Sequence, residues 1–298
     1  MKQIEGERDH EAAPPEDRSR REFVALSAAV GLAAVTRAGA ADLAVVESEV
    51  QIKTADGVSD AALFHPATGS YPGVLVWTDA FGLRPTFRDL GKRLAGQGYA
   101  VLVPNPFYRV AKAPIYNDAS VVDFANPDDR AKLMQLMGTV TAAGAAESDC
   151  RPYLEFLRAQ SSTSKAKKMG VQGYCMGGPL TVRTAATAPD LVGAGASFHG
   201  GGLVTDKPTS PHLLAPKIKA RMYFAIAASD DTKQPEAKDE LRKAFAAAHV
   251  PAEIEVYAGT QHGWCVADMR PGATPVYSQA DAERAWSKLV ALYRDALA

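Results

Sequence analysis

The chain has 298 residues, of which 47% are hydrophobic, and a formal net charge of -1. This size and composition fit an ordinary globular protein with one large α/β domain or two small ones. Without a basic excess a nucleic-acid partner is not expected, and three cysteines are too few for a disulfide scaffold and wrongly spaced for a zinc site.

Residues 1–18 are polar and charged, and Arg20-Arg21 then precede an apolar run over residues 24–35 that closes with Ala38-Gly39-Ala40. A basic end, a short apolar core and a small-x-small exit describe an export signal. The paired arginines resemble a twin-arginine signal, so the expectation is a leader over residues 1–40 that uses the twin-arginine export machinery. The mature protein would be periplasmic or secreted. The alternative is a polar tail running into an ordinary amphipathic helix, in a cytoplasmic protein. The apolar run is too short to span a bilayer.

Two opening strands are expected over residues 45–53 and 61–64, joined at Asp56-Gly57, a hairpin signal. Residues 73–77 form a continuous apolar run, as in a buried parallel strand. Helical spacing of Phe87, Leu90 and Leu94 marks residues 85–97, and a core strand over 100–103 stops at Pro104. Residues 131–160 read as helical, with a break near Gly138 or Gly144. Strands follow at 167–172, 192–198, 220–227 and 252–257, with helices at 179–188, 235–248 and 279–296. Residues 200–216 read as a loop. Strand and helix alternate from residue 73, so the sheet should be mostly parallel with helices on both faces. Reactive groups should then gather at the carboxyl ends of the strands.

The segment Gly173-Tyr174-Cys175-Met176-Gly177-Gly178 sits where a strand turns sharply into a helix. Small residues at 173 and 177 permit the bend, and a thiol at its apex lies near the positive end of the following helix, which favours thiolate. A thiol nucleophile needs a base and an orienting partner at the same sheet edge. Asp230 and Asp231 follow one late strand and His262 follows the next. The order Cys175…Asp230…His262 is the nucleophile–acid–base order of α/β-hydrolases, with Asp231 as the rival acid. Backbone N–H groups of Met176 and of Ala80 are the expected oxyanion donors. Asp79 is a candidate auxiliary acid near the thiol, or a loop cap. Phe81, Tyr108, Trp264 and His199 flank reactive strand ends and are candidate pocket walls. His199 would break the triad order as base, so it is a wall or a packed loop histidine. No metal is required by any His spacing.

These residues resemble the dienelactone hydrolase family, a branch of the α/β-hydrolases, over most of residues 45–297. The likeness rests on the cysteine turn, on Asp79-Ala80-Phe81-Gly82, on Val103-Pro104-Asn105-Pro106-Phe107-Tyr108, on Ser229-Asp230 and on His262-Gly263-Trp264. It implies one α/β-hydrolase domain over residues 41–298, hydrolysis of small esters or lactones through a Cys-Asp-His triad and a thioester acyl-enzyme, and no metal or organic cofactor. The family's loop acid is typically glutamate where this chain has Asp79. Family members also hold a substrate carboxylate with two arginines. Residues 263–267 supply none here, and Arg130 is the candidate for the other. Two further readings stay open: a non-catalytic exported binding protein on the same fold, and pairing of Cys265 with Cys175 or Cys150 after export.

Overall fold

The structure is a computed structural model that describes residues 42–270 and 276–297. The expected export signal lies outside the described residues. The described chain opens with a hairpin, β1 (Val45–Thr54) and β2 (Gly57–Pro66), paired in register from Thr54↔Gly57 to Val45↔Pro66. β3 (Gly73–Trp77), α1 (Pro85–Gly96) and β4 (Ala100–Pro104) follow. Next come α2 (Pro127–Thr141), α3 (Ala145–Ala159), β5 (Met169–Tyr174), α4 (Gly177–Thr187) and β6 (Val192–Phe198). The chain continues with β7 (Arg221–Ala227), α5 (Ala228–Lys233), α6 (Ala237–Ala247), β8 (Ala252–Tyr257) and α7 (Gln279–Ala296).

The strands form one sheet in the order β1-β2-β4-β3-β5-β6-β7-β8. The joints β1–β2 and β2–β4 are antiparallel, and all others are parallel. Every residue of β3, β4 and β5 is buried, which is why these strands are apolar without alternation. α1 and α7 cover one face and meet where Arg93 pairs with Glu283 at 2.5 Å and stacks over Trp286. α3, α4 and α6 cover the other, α4 and α6 both packing on a 3-10 turn at Pro211–Lys217. Between the layers, Tyr174 stacks on Phe198 at 4.9 Å and meets Phe87 edge-on at 5.4 Å. Burial of a side chain such as Phe87 contributes about 1.5–3 kcal/mol.

The expected alternation of strand and helix is borne out, with local corrections. The helical run breaks at Gly144, whose φ of +83° ends continuity before α3. α2 starts earlier than its apolar spacing indicates, because Asn126 Oδ1 accepts the Asp128 N–H at 2.9 Å and caps it. The strand before the cysteine turn is displaced to Met169–Tyr174. Part of the 200–216 loop is the 3-10 turn. α5 is six residues long and had no apolar periodicity to announce it.

Asp149 of α3 anchors the hairpin edge. Its carboxylate accepts both Nη groups of Arg109 at 2.8 Å and the Tyr108 hydroxyl at 2.8 Å. Tyr108 in turn reaches Thr54 Oγ1 at 2.8 Å. Removing this carboxylate breaks three bonds at once and leaves Arg109 only its exposed partner Asp56, so Asp149→Ala should lower stability by about 3 kcal/mol in urea denaturation. Asp149→Asn, which keeps part of the network, should lose less; an unchanged midpoint for the alanine variant would contradict this assignment.

Candidate active site

The turn after β5 places Cys175 at φ +51°, a left-handed conformation that costs a residue with a Cβ about 1–2 kcal/mol. Its surroundings enforce it. Cys175 N–H donates to Phe198 O at 3.0 Å, and Gly178 N–H donates to Cys175 O at 3.0 Å. A Cβ on Gly173 would stand 2.0 Å from the Gly177 carbonyl oxygen, and one on Gly177 would stand 2.6 Å from Trp77 O and 2.7 Å from Thr78 O. The first turn of α4 therefore lies directly on the end of β3. This contact brings the backbone of Met176 beside the loop that carries Ala80. Neither the Met176 N–H nor the Ala80 N–H has a protein acceptor among the described residues.

The loop after β8 is stitched to the end of β7. Ala228 N–H donates to Thr260 Oγ1 at 3.2 Å, Ser229 N–H to Thr260 O at 3.1 Å, and His262 N–H to Ser229 Oγ at 2.9 Å. The stitching sets His262 Nδ1 2.7 Å from Asp230 Oδ2 in the first turn of α5. Asp231, the rival acid, turns away to Lys238 Nζ at 2.7 Å. Burial opposes charge on the His262 ring, but hydrogen bonds to Asp230 and Cys175 and their charge outweigh it, and its pKa is pushed up to about 10. With Nδ1 engaged by Asp230, Nε2 is the nitrogen left for the thiol.

His199 directly follows β6 and is fully buried, its ring 4.8 Å from that of His262 at an interplanar angle of 71°. Neither ring nitrogen has a hydrogen-bond partner among the described residues. Burial, reinforced by the neighbouring His262, holds its pKa well below the ordinary value, so it is a neutral packed ring.

The other expected residues separate. Phe81 is buried next to Ala80, edge-on to Tyr116 and Phe124 at 6.0 Å each. Tyr108 is engaged elsewhere: its hydroxyl bonds Thr54 at the hairpin turn and Asp149 of α3, and β3 stands between its own strand, β4, and β5. Trp264 is no surface wall either. It is 0% exposed and stacked on Tyr257 at 4.4 Å. Arg130 is exposed in the first turn of α2, its guanidinium 3.5 Å from the Phe124 carbonyl. Asp79 makes no hydrogen bond to the thiol: Arg84 takes both its oxygens, at 2.6 and 2.9 Å. All three thiols are free, and burial pushes Cys150 up to about 12 and Cys265 well above its ordinary value. A cavity of about 190 Å³ opens beside Asp230, between Gly200–Val204 and α5–α6. Sequence reasoning passed over Arg84 and Asp268. The faint signal was an arginine set between Leu83 and Pro85 at the start of an amphipathic helix.

A mostly parallel eight-stranded sheet, a thiol on the strand–helix elbow after β5 and an Asp–His pair from the ends of β7 and β8 define an α/β-hydrolase. Residues 59–297 match the family model of the dienelactone hydrolase family, and the chain belongs to that family. It is a carboxylic ester hydrolase. The chain is 27% identical to carboxymethylenebutenolidase of Rhodococcus opacus over 228 residues, covering 76% of this chain and 82% of that protein. It is 28% identical to Protein usf of Aquifex pyrophilus over 229 residues, covering 76% and 89%. Among solved structures, m3DLH superposes with a TM-score of 0.70 at 25% identity, covering 86% of this chain and all of that one. Dienelactone hydrolase from Anabaena variabilis shares the fold, with a TM-score of 0.60 at 16% identity and coverage of 85% and 99%.

Two outcomes follow from this geometry. Gly173→Ala should destabilise the fold severely, because the added carbon meets backbone rather than a movable side chain; a wild-type denaturation midpoint would refute the contact. The folded-state pKa of His262 is raised, so its contribution to stability is complete below the unfolded value and is lost as pH climbs towards about 10. Asp230→Asn removes part of it. The stability gap between wild type and this variant should therefore be wider near about pH 6 than near about pH 10, and equal gaps in urea denaturation at the two pH values would contradict the assignment.

Proposed function

We propose that the protein hydrolyses small carboxylic esters and lactones through a thioester on Cys175. The observation that carries this reading is the strained elbow thiol set against His262, whose other nitrogen is held by Asp230 at 2.7 Å. His262 Nε2 takes the thiol proton. The thiolate attacks the ester carbonyl, an S–C bond forms, and the carbonyl electrons move to oxygen. The N–H groups of Met176 and Ala80 meet that oxyanion; one such donor is worth about 3 kcal/mol of transition-state stabilisation. Collapse expels the alkoxide, which takes the proton from His262 and leaves the thioester. His262 then accepts a proton from water as the water adds to the thioester, and a second collapse releases the acid and the sulfur. Asp230 fixes the ring and steadies its charge throughout.

The work is proposed to take place outside the cytoplasm, after twin-arginine export directed by residues 1–40. The support is the Arg20-Arg21 pair, the short apolar run and the small-residue exit. Mass spectrometry of the protein from its native cell should find a mature chain beginning near Ala41, and an intact leader on soluble cytoplasmic protein would remove this part of the reading.

For the chemistry, Cys175→Ala should abolish turnover of small aryl esters and unsaturated lactones with the denaturation midpoint preserved. Turnover that survives this substitution would overturn the thioester route.

A further inference from the structure

Arg84 is the most heavily bonded side chain near the site, and the hydrolytic steps make no use of it. It is 0% exposed. Nη1 and Nη2 grip Asp79 as a fork at 2.6 and 2.9 Å, and Nε and Nη2 grip Asp268 as a second fork at 2.7 and 2.8 Å. Nη1 also reaches the Gly82 carbonyl at 3.4 Å, so all five donors are engaged. The rings of Phe81 and Phe87 flank the guanidinium at 5.3 and 5.1 Å. The two carboxylates come from different loops. Asp79 precedes Ala80, and its Oδ1 also accepts the Phe81 N–H at 2.9 Å, so Ala80 is bracketed on both sides. Asp268 lies six residues beyond His262 in the loop that follows β8.

We propose that Arg84 is a positioning residue: by clamping Asp79 to Asp268 it holds the Ala80 N–H where the oxyanion forms and locks that donor to the histidine-bearing loop. The inference rests on the thioester reading above. The cluster sets one buried guanidinium against two carboxylates, an arrangement that well-packed apolar side chains commonly match or better for stability. A double fork does supply direction, since each planar pair fixes both distance and orientation. An oxyanion donor needs that rigidity, because misplacement by about 1 Å costs on the order of 100-fold in rate. The clamp also decides the role of Asp79. With both oxygens held, it is a strut for its neighbour's N–H and not a base for the thiol.

The test separates the donor from the nucleophile. Arg84→Lys keeps the charge and cannot make two forks. We expect kcat to fall about 10- to 100-fold with KM little changed. The affinity for a trifluoromethyl ketone, whose adduct with Cys175 places an oxyanion in the same position, should fall by the same factor as kcat/KM. Alkylation of Cys175 by iodoacetamide, which develops no oxyanion, should keep its wild-type rate and pH profile. Asp268→Asn should show the same split more weakly, and it carries the test if Arg84→Lys does not fold. An unchanged kcat in a folded variant would overturn the clamp, as would alkylation slowing in step with kcat, which would place Arg84 in support of the thiol pair. Failure of the thioester reading looks different: ester turnover would then persist in Cys175→Ala.

Discussion

The site depends on a backbone contact. The first turn of α4 rests against the carbonyls of Trp77 and Thr78, at a distance that no side chain at residue 177 would allow. Because it does, Cys175 is held in the left-handed region at φ +51°, and the turn that carries Met176 lies on the end of β3, from which the loop to Ala80 leaves. The chain accepts local strain of about 1–2 kcal/mol at this point, and the sheet and helices on either side over-determine the turn. A looser elbow would leave each group present and out of line with the others.

The second organising element is the stitching between the ends of β7 and β8. The hydroxyls of Thr260 and Ser229 and the Thr260 carbonyl, accepting three backbone N–H groups, set the histidine loop on the start of α5, and Asp230 then meets His262 without a long flexible reach. The result is an imidazole that keeps a proton readily, held up to about 10 by Asp230 and Cys175 against the cost of burial. The neutral His199 ring beside it supplies bulk without a competing charge. Cys175, Asp230 and His262 are thus placed by short-range backbone geometry at the ends of β5, β7 and β8.

Much of this could be read from residues in order. Apolar runs located the core strands because strands buried on both faces lose their alternation. The elbow could be read because only small residues survive at 173 and 177, and the sequence of Cys175, Asp230 and His262 follows from the parallel topology. What stayed hidden depends on contacts between residues far apart in the chain. Arg84 and Asp268 are 184 residues apart, and no spacing announces their pairing, so Asp79 looked available to the thiol when it is bound elsewhere. Tyr108 looked like a pocket wall from its place after a strand, but the sheet order carries that strand towards the hairpin edge. Trp264 lies two residues from His262, yet the turn between them directs its ring inward onto Tyr257. α5 is too short to show periodicity, and it carries Asp230.

The central claim is that acyl groups pass through the sulfur of Cys175, and trapping that intermediate tests it most directly. An aryl ester that deacylates slowly, quenched with acid during turnover and followed by peptide mass spectrometry, should yield the peptide containing Cys175 heavier by one acyl group, with the adduct removed by hydroxylamine. Acyl mass on another residue, or an unmodified Cys175 peptide while product accumulates in a pre-steady-state burst, would contradict the account.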